Sequence, residues 1–238
     1  MLFTAHLFDT SPLAAIRRVA PSPAKTPGLL QAQTAAAAPF THGAPRPQLG
    51  REVMLAAWDD EASIDQFLQS DPLGQTIAGG WHVRLELVRA VGMFPGLDLD
   101  LSEVAADKER SMTGPSVAFT LGMAYKKTIP QFLKVNKGLE RQFLDTPSGI
   151  WGTAAVNLKT QFVSTITFWE SLQAATDYMK TGAHGAAVRD HYDPAKDPTG
   201  HTFVTGGGFL GFRPISMSGS VDGRNAVSEN LLESFAEQ

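Results

Sequence analysis

The chain has 238 residues, 43% of them hydrophobic and 18% charged, and a formal net charge of −4. That is enough apolar material for a sizeable core, and the acidic balance argues against nucleic acid as a main partner. Cysteine is absent, which excludes disulfides, thiolate metal sites, iron–sulfur clusters and a cysteine nucleophile. No run of about 18 apolar residues is present to span a membrane, and the opening Met1-Leu2-Phe3-Thr4-Ala5-His6 alternates like a strand rather than a signal peptide. A cytoplasmic location is the expectation.

In chain order, Leu2–Phe8 reads as a strand and Ser11-Pro12 starts a short helix over Leu13–Val19. The stretch 20–50 carries six prolines and an Ala35–Ala38 run, and reads as a long loop or an insertion that could cover a pocket. Val53–Ala57 is a second strand, followed by a helix over Trp58–Ser70. In Trp81–Arg89, His82, Arg84 and Glu86 alternate with Val83, Leu85 and Leu87, the pattern of a strand with one apolar face. An acidic stretch, 98–110, links this half to the next.

The second half opens with a strand at Val117–Leu121 and a helix over Tyr125–Leu144, whose apolar stripe is Phe132, Val135, Leu139 and Phe143. Lys127, Lys134 and Arg141 recur on another face of that helix, with Lys126 and Lys137 nearby. They form either a solvated face or a docking patch for an acidic electron-transfer protein. Ala154–Phe168 reads as one long central strand. A helix led by Trp169 follows, with Leu172, Thr176 and Met179 on its stripe, then a stop at Gly182 and a second helix over Ala183–Tyr192. His201–Arg213 supplies a last strand with a bulge at Gly206–Gly208, and the tail 216–238 is polar.

The two halves match each other. Trp58 and Trp169 lie 111 positions apart, and at the same offset Asp59 meets Glu170, Phe67 meets Tyr178, and Leu68 meets Met179. We therefore expect an α+β chain of two fused β-α-β-α-β repeats, the first over 1–100 with 20–50 as its insertion and the second over 112–215. The offset sets Leu73 of the first copy opposite His184 of the second.

Gly206-Gly207-Gly208-Phe209-Leu210-Gly211 matches a dinucleotide fingerprint in letters only, since no helix follows it. His6, His42, His82 and His201 are isolated in sequence. His184 and His191 share a helix face, but about 10.5 Å of helix rise between them is too far for one metal ion. A single histidine without further protein ligands suits a haem, whose porphyrin fills the other equatorial positions, and equally suits a capping role.

Phe168-Trp169-Glu170-Ser171-Leu172, with Gly182-Ala183-His184-Gly185-Ala186-Ala187-Val188-Arg189, resembles the spheroidene monooxygenase (carotenoid 2-ketolase) family of the dimeric α+β barrel superfamily. Gly80-Trp81-His82-Val83-Arg84-Leu85 and Gly114-Pro115-Ser116-Val117-Ala118-Phe119-Thr120 extend the resemblance, which covers about Val53 to Pro214. It implies two ferredoxin-like repeats forming a barrel, and a haem b monooxygenase acting on an apolar small molecule. His184 would be the proximal iron ligand, with Arg89 and Arg213 as expected propionate or distal contacts. An electron-transfer protein and a second copy of the chain are the implied partners. The alternatives are a barrel that only binds an apolar ligand and a cofactor-free oxygenase.

Overall fold

The computed structural model describes residues 1–43, 46–94, 97, 99–101, 114–193, 195 and 204–220. Eight antiparallel strands close into one barrel, in the order β1-β3-β2-β6-β7-β5-β8-β4. In the first half these are β1 (Leu2–Asp9), β2 (Leu29–Pro39), β3 (Gln48–Trp58) and β4 (Trp81–Met93). The second half holds β5 (Ser116–Ala124), β6 (Gly149–Asn157), β7 (Phe162–Trp169) and β8 (Val204–Ser218). The helices are α1 (Pro12–Arg17), α2 (Glu61–Ser70), α3 (Pro72–Ala78), α4 (Ile129–Leu144), α5 (Leu172–Lys180) and α6 (Gly182–Tyr192).

Each half therefore runs β-α-β-β-α-β, with one strand more than the expected β-α-β-α-β unit, and both lay their strands in the same spatial order. β4-β1-β3-β2 is matched by β8-β5-β7-β6, so β3 and β7, which contain the two anticipated central strands, hold the same place in their halves. Two seams close the ring. β4 pairs with β8 over most of its length, and β2 pairs with β6 through Ala36–Pro39 against Val156–Thr153.

The extra strands are the main corrections to the sequence reading. The supposed insertion at 20–50 contains β2 and the start of β3. Alanine is a poor strand former in isolation, but here Ala35 and Ala37 point into a crowded barrel, and Ala37 and Ala38 meet Ala155 and Ala154 across the seam. Tertiary packing overrides propensity. The expected long strand Ala154–Phe168 is a hairpin. Asn157 makes its turn, its side-chain oxygen accepting from the N–H groups of Lys159 and Thr160 at 3.0 and 3.1 Å, while its Nδ2 donates to Thr34 O at 2.8 Å.

Both expected Trp-led helices begin later than the sequence suggested. Trp58 and Trp169 are the last residues of β3 and β7. The helices start two residues further on, where Asp60 caps Ser63 N at 2.8 Å and Ser171 caps Ala174 N at 3.1 Å. The indoles sit instead between sheet and helix, donating to Thr4 Oγ1 at 2.9 Å and Thr167 Oγ1 at 2.8 Å. At Gly74 in α3 an added Cβ would lie 1.9 Å from Phe67 O, and at Gly185 in α6 it would lie 2.3 Å from Lys180 O. These glycines, again 111 apart, let each second helix pack tightly on the first.

The expected bulge in β8 is present, since Thr205 and Gly208 face Met123 and Leu121 with one residue too many between them. β8 continues to Ser218, so the tail expected from 216 begins inside the barrel wall. Most of the linker 98–110, and residues 221–238 of the tail, lie outside the described residues. No helix among the described residues is long and apolar enough to cross a membrane.

Candidate functional site in the barrel mouth

Strand alternation divides the side chains between the barrel interior and the helix layer outside it. Phe3, Ala5 and Leu7 of β1 point inward, as do Val53, Leu55 and Ala57 of β3 and Val83, Leu85 and Leu87 of β4. One end of the interior is plugged by rings: Trp81, Trp151 and Phe168 lie with centroids 5.5 to 5.8 Å apart. Phe119 stacks 4.6 Å from Phe212, which lies 5.1 Å from Phe3, and these rings fill the middle.

The other end is less full. Gln31 and Gln33 of β2, set opposite Ala57 and Leu55 of β3, line a chamber together with Phe3, Leu121, Phe162 and Leu210. Leu97, from the segment after β4, packs on the same core and also lines the chamber. The cavity amounts to ≈ 30 Å³, room for about one water molecule. Among the described residues, the polar side chains on its walls are the two carboxamides, each of which already holds a partner. A second cavity of ≈ 250 Å³ is a polar surface groove between the ends of β1, β3 and α3, where Arg51 Nε donates to Asp9 Oδ1 at 2.8 Å.

The three expected site residues are not brought together at either cavity. His184 lies in α6, in the helix layer. Its backbone N–H donates to Gln142 Oε1 at 2.9 Å, its Nδ1 lies 3.2 Å from Met179 O, and its ring stands 4.9 Å from Tyr178. Burial lowers its pKa, and the Met179 carbonyl partly opposes this. Arg213 is on the outer face of β8, 60% exposed, and ion-paired with Glu86. Arg89 is on β4, its Cβ beside Gly211 and away from the barrel interior. An imidazole whose Nδ1–H is held by a carbonyl is oriented as metal-ligating histidines are. Neither described cavity borders it, however, and the barrel chamber is far smaller than a porphyrin. His191's side chain and Phe132's lie outside the described residues.

Of the basic face expected on α4, Lys126, Lys127 and Lys134 are exposed. Arg141 turns back to donate to His42 O at 3.1 Å.

Sequence reasoning missed Glu140. This α4 carboxyl is 4% exposed, its Oε2 has no partner, and burial pushes its pKa up to about 7 against the pull of the Thr41 N–H. Tyr178 nearby is raised too, first by burial and then by the Glu140 charge. A glutamate among lysines reads as surface, so nothing in the local sequence marked it.

No family model and no curated protein matches the chain. Among solved structures it resembles a Fusobacterium nucleatum protein described as a candidate monooxygenase, at 6% identity and a TM-score of 0.40 over 94% of this chain and 97% of that one. A Lactobacillus acidophilus protein described in the same terms matches at 8% and 0.37, over 92% and 97% of the two chains. A major regulator of staphylococcal pathogenesis matches at 12% and 0.35, over 91% and 100%. Likenesses this distant carry no argument about activity.

Proposed function

We propose that the barrel takes a small apolar molecule with one hydroxyl or carbonyl group into the mouth chamber and acts on it as a monooxygenase-like enzyme. One observation carries the reading: among the described residues, the chamber's walls are apolar except for Gln31 and Gln33, which stand together on one strand. Such a site desolvates a flat hydrocarbon body, while the carboxamides orient its single polar group. An apolar chamber closed around its guest keeps bulk water from a reactive intermediate. Haem has no part in this reading. The same reading takes the two halves as fused copies of one ferredoxin-like unit, supported by their shared strand order and by the 111-residue offset of Trp58/Trp169 and Gly74/Gly185.

The test uses 2-naphthol as probe. Leu97→Ala should bind it more tightly than the parent, because a side chain lining the chamber is shortened. Ala57→Leu should bind it more weakly by filling the chamber. Oxygen uptake on adding 2-naphthol supports the enzyme, whereas binding without uptake reduces the reading to a carrier. If neither substitution changes binding, the chamber is not the site.

A further inference from the structure

β1 carries a second constellation, on the face turned away from the barrel interior. His6 pairs in register with Met54 of β3 on one side and with His82 of β4 on the other. Residues opposite one another in a sheet project from the same face, so the three side chains form one row beneath the helix layer. His6 is 1% exposed and Met54 0%. Both ring nitrogens of His6 and the Nδ1 of His82 are buried without a hydrogen-bond partner. A neutral imidazole carries one donor and one acceptor, and buried groups of this kind are almost always satisfied. Two adjacent histidines that both break this rule call for a guest between them.

We propose that His6 and His82, with Met54 as a third ligand, form a binding site for a monovalent soft cation, Cu(I). The ring centroids are 5.5 Å apart. Metal–nitrogen bonds of about 2.0 Å to one shared ion place two imidazole centres roughly 4.5–6.5 Å apart, so the pair is spaced for one metal. The donor set selects which metal. Imidazole and thioether are neutral and soft, the pairing that favours Cu(I) over harder ions. No carboxylate stands in the row to offset the burial of a second positive charge, so a singly charged ion is the easier guest. The nearest charges are Arg84, on the same face of β4, and its partners Glu61 and Asp65 on α2, each 2.5 Å away. The Arg84 guanidinium is tied to these two carboxylates, and its charge weighs more against a doubly charged guest than against a singly charged one. Each ion pair and ring here is distant in sequence, and only the register of three strands assembles the site.

The experiment is anaerobic titration of the full chain with Cu(I) against bicinchoninate as competing chromophoric ligand. The parent should withdraw one equivalent of Cu(I) from the indicator. His6→Leu and His82→Leu should each lose that capture. Met54→Leu, nearly the same volume and therefore safe for the fold, should keep a stoichiometry of one but compete more weakly. X-ray absorption of the loaded parent should show sulfur as well as nitrogen around copper, a signature that does not depend on any variant folding. Failure of the parent to capture copper, capture unchanged in His6→Leu, or Zn(II) held as tightly as Cu(I) would each overturn the assignment.

Discussion

Glu140→Gln is the sharpest single perturbation of the helix layer. In the folded chain the carboxyl holds its proton up to about pH 7, against an ordinary value of 4.5, mainly because burial penalises the charged form. The sign follows from linkage. Between these pH values the folded state binds more protons than the unfolded one, so the contribution to stability is complete below about pH 4.5 and is lost as pH rises through 7. Each tenfold gap in proton affinity is worth about 1.36 kcal/mol, which sets a ceiling of about 3.4 kcal/mol; partial solvation of the ionised form reduces this to about 2 kcal/mol. Glutamine keeps the volume and cannot ionise. Urea unfolding, followed by the fluorescence of Trp58, Trp81, Trp151 and Trp169, should give equal stabilities for parent and variant at pH 4. At pH 8 the variant should be more stable by about 2 kcal/mol. Other titrating groups cancel in the comparison. A difference that is the same at both pH values would refute the assignment of a buried, late-ionising carboxyl at this position.

Three more outcomes follow from the packing and the charges. Gly74→Ala drives a Cβ to within 1.9 Å of the Phe67 carbonyl and should lower stability by about 3 kcal/mol, whereas Gly79→Ala, with nothing within 4 Å, should be close to neutral by thermal unfolding. Asp60→Ala and Ser171→Ala remove the caps of α2 and α5 and should each lower the thermal midpoint, the losses adding in the double variant because the caps sit in different halves. For His6 the depressed pKa makes stability complete above about pH 6.5 and lost as pH falls toward 3, so the parent should weaken between pH 6 and 4 by up to about 1.36 kcal/mol per pH unit more than His6→Leu does.

What could be read from the chain, and what could not, divides along the distance of the interactions involved. The alternation in β4 and the bulge in β8 are local, and local residues announce them. The matching offset around Trp58 and Trp169 located two equivalent strands, but it attached each tryptophan to the following helix; the ring in fact closes the gap between strand and helix. β2 was hidden because its Ala35–Ala38 run suits a barrel seam rather than a strand in isolation. The hairpin after Asn157 was overrun by the apolar residues on either side. Site residues fared worse for the same reason. His184 stood out by resemblance and by its helix, yet it packs on Tyr178 away from both cavities. Gln31 and Gln33 looked like loop polars until β2 placed them on a barrel wall, and His6 and His82 looked isolated until β1 and β4 came into register.

The chamber at Gln31 and Gln33 is the centre of this account, and methyl-resolved NMR of the full chain titrated with 2-naphthol tests it most directly. Leu55, Leu97, Leu121 and Leu210 border the chamber, while Leu172, the first residue of α5, packs in the helix layer. Saturable shifts in the first four methyl groups, none at Leu172, and weaker binding in Gln31→Leu are expected. Shifts centred on Leu172, or no saturable shift at the four chamber leucines, would contradict this.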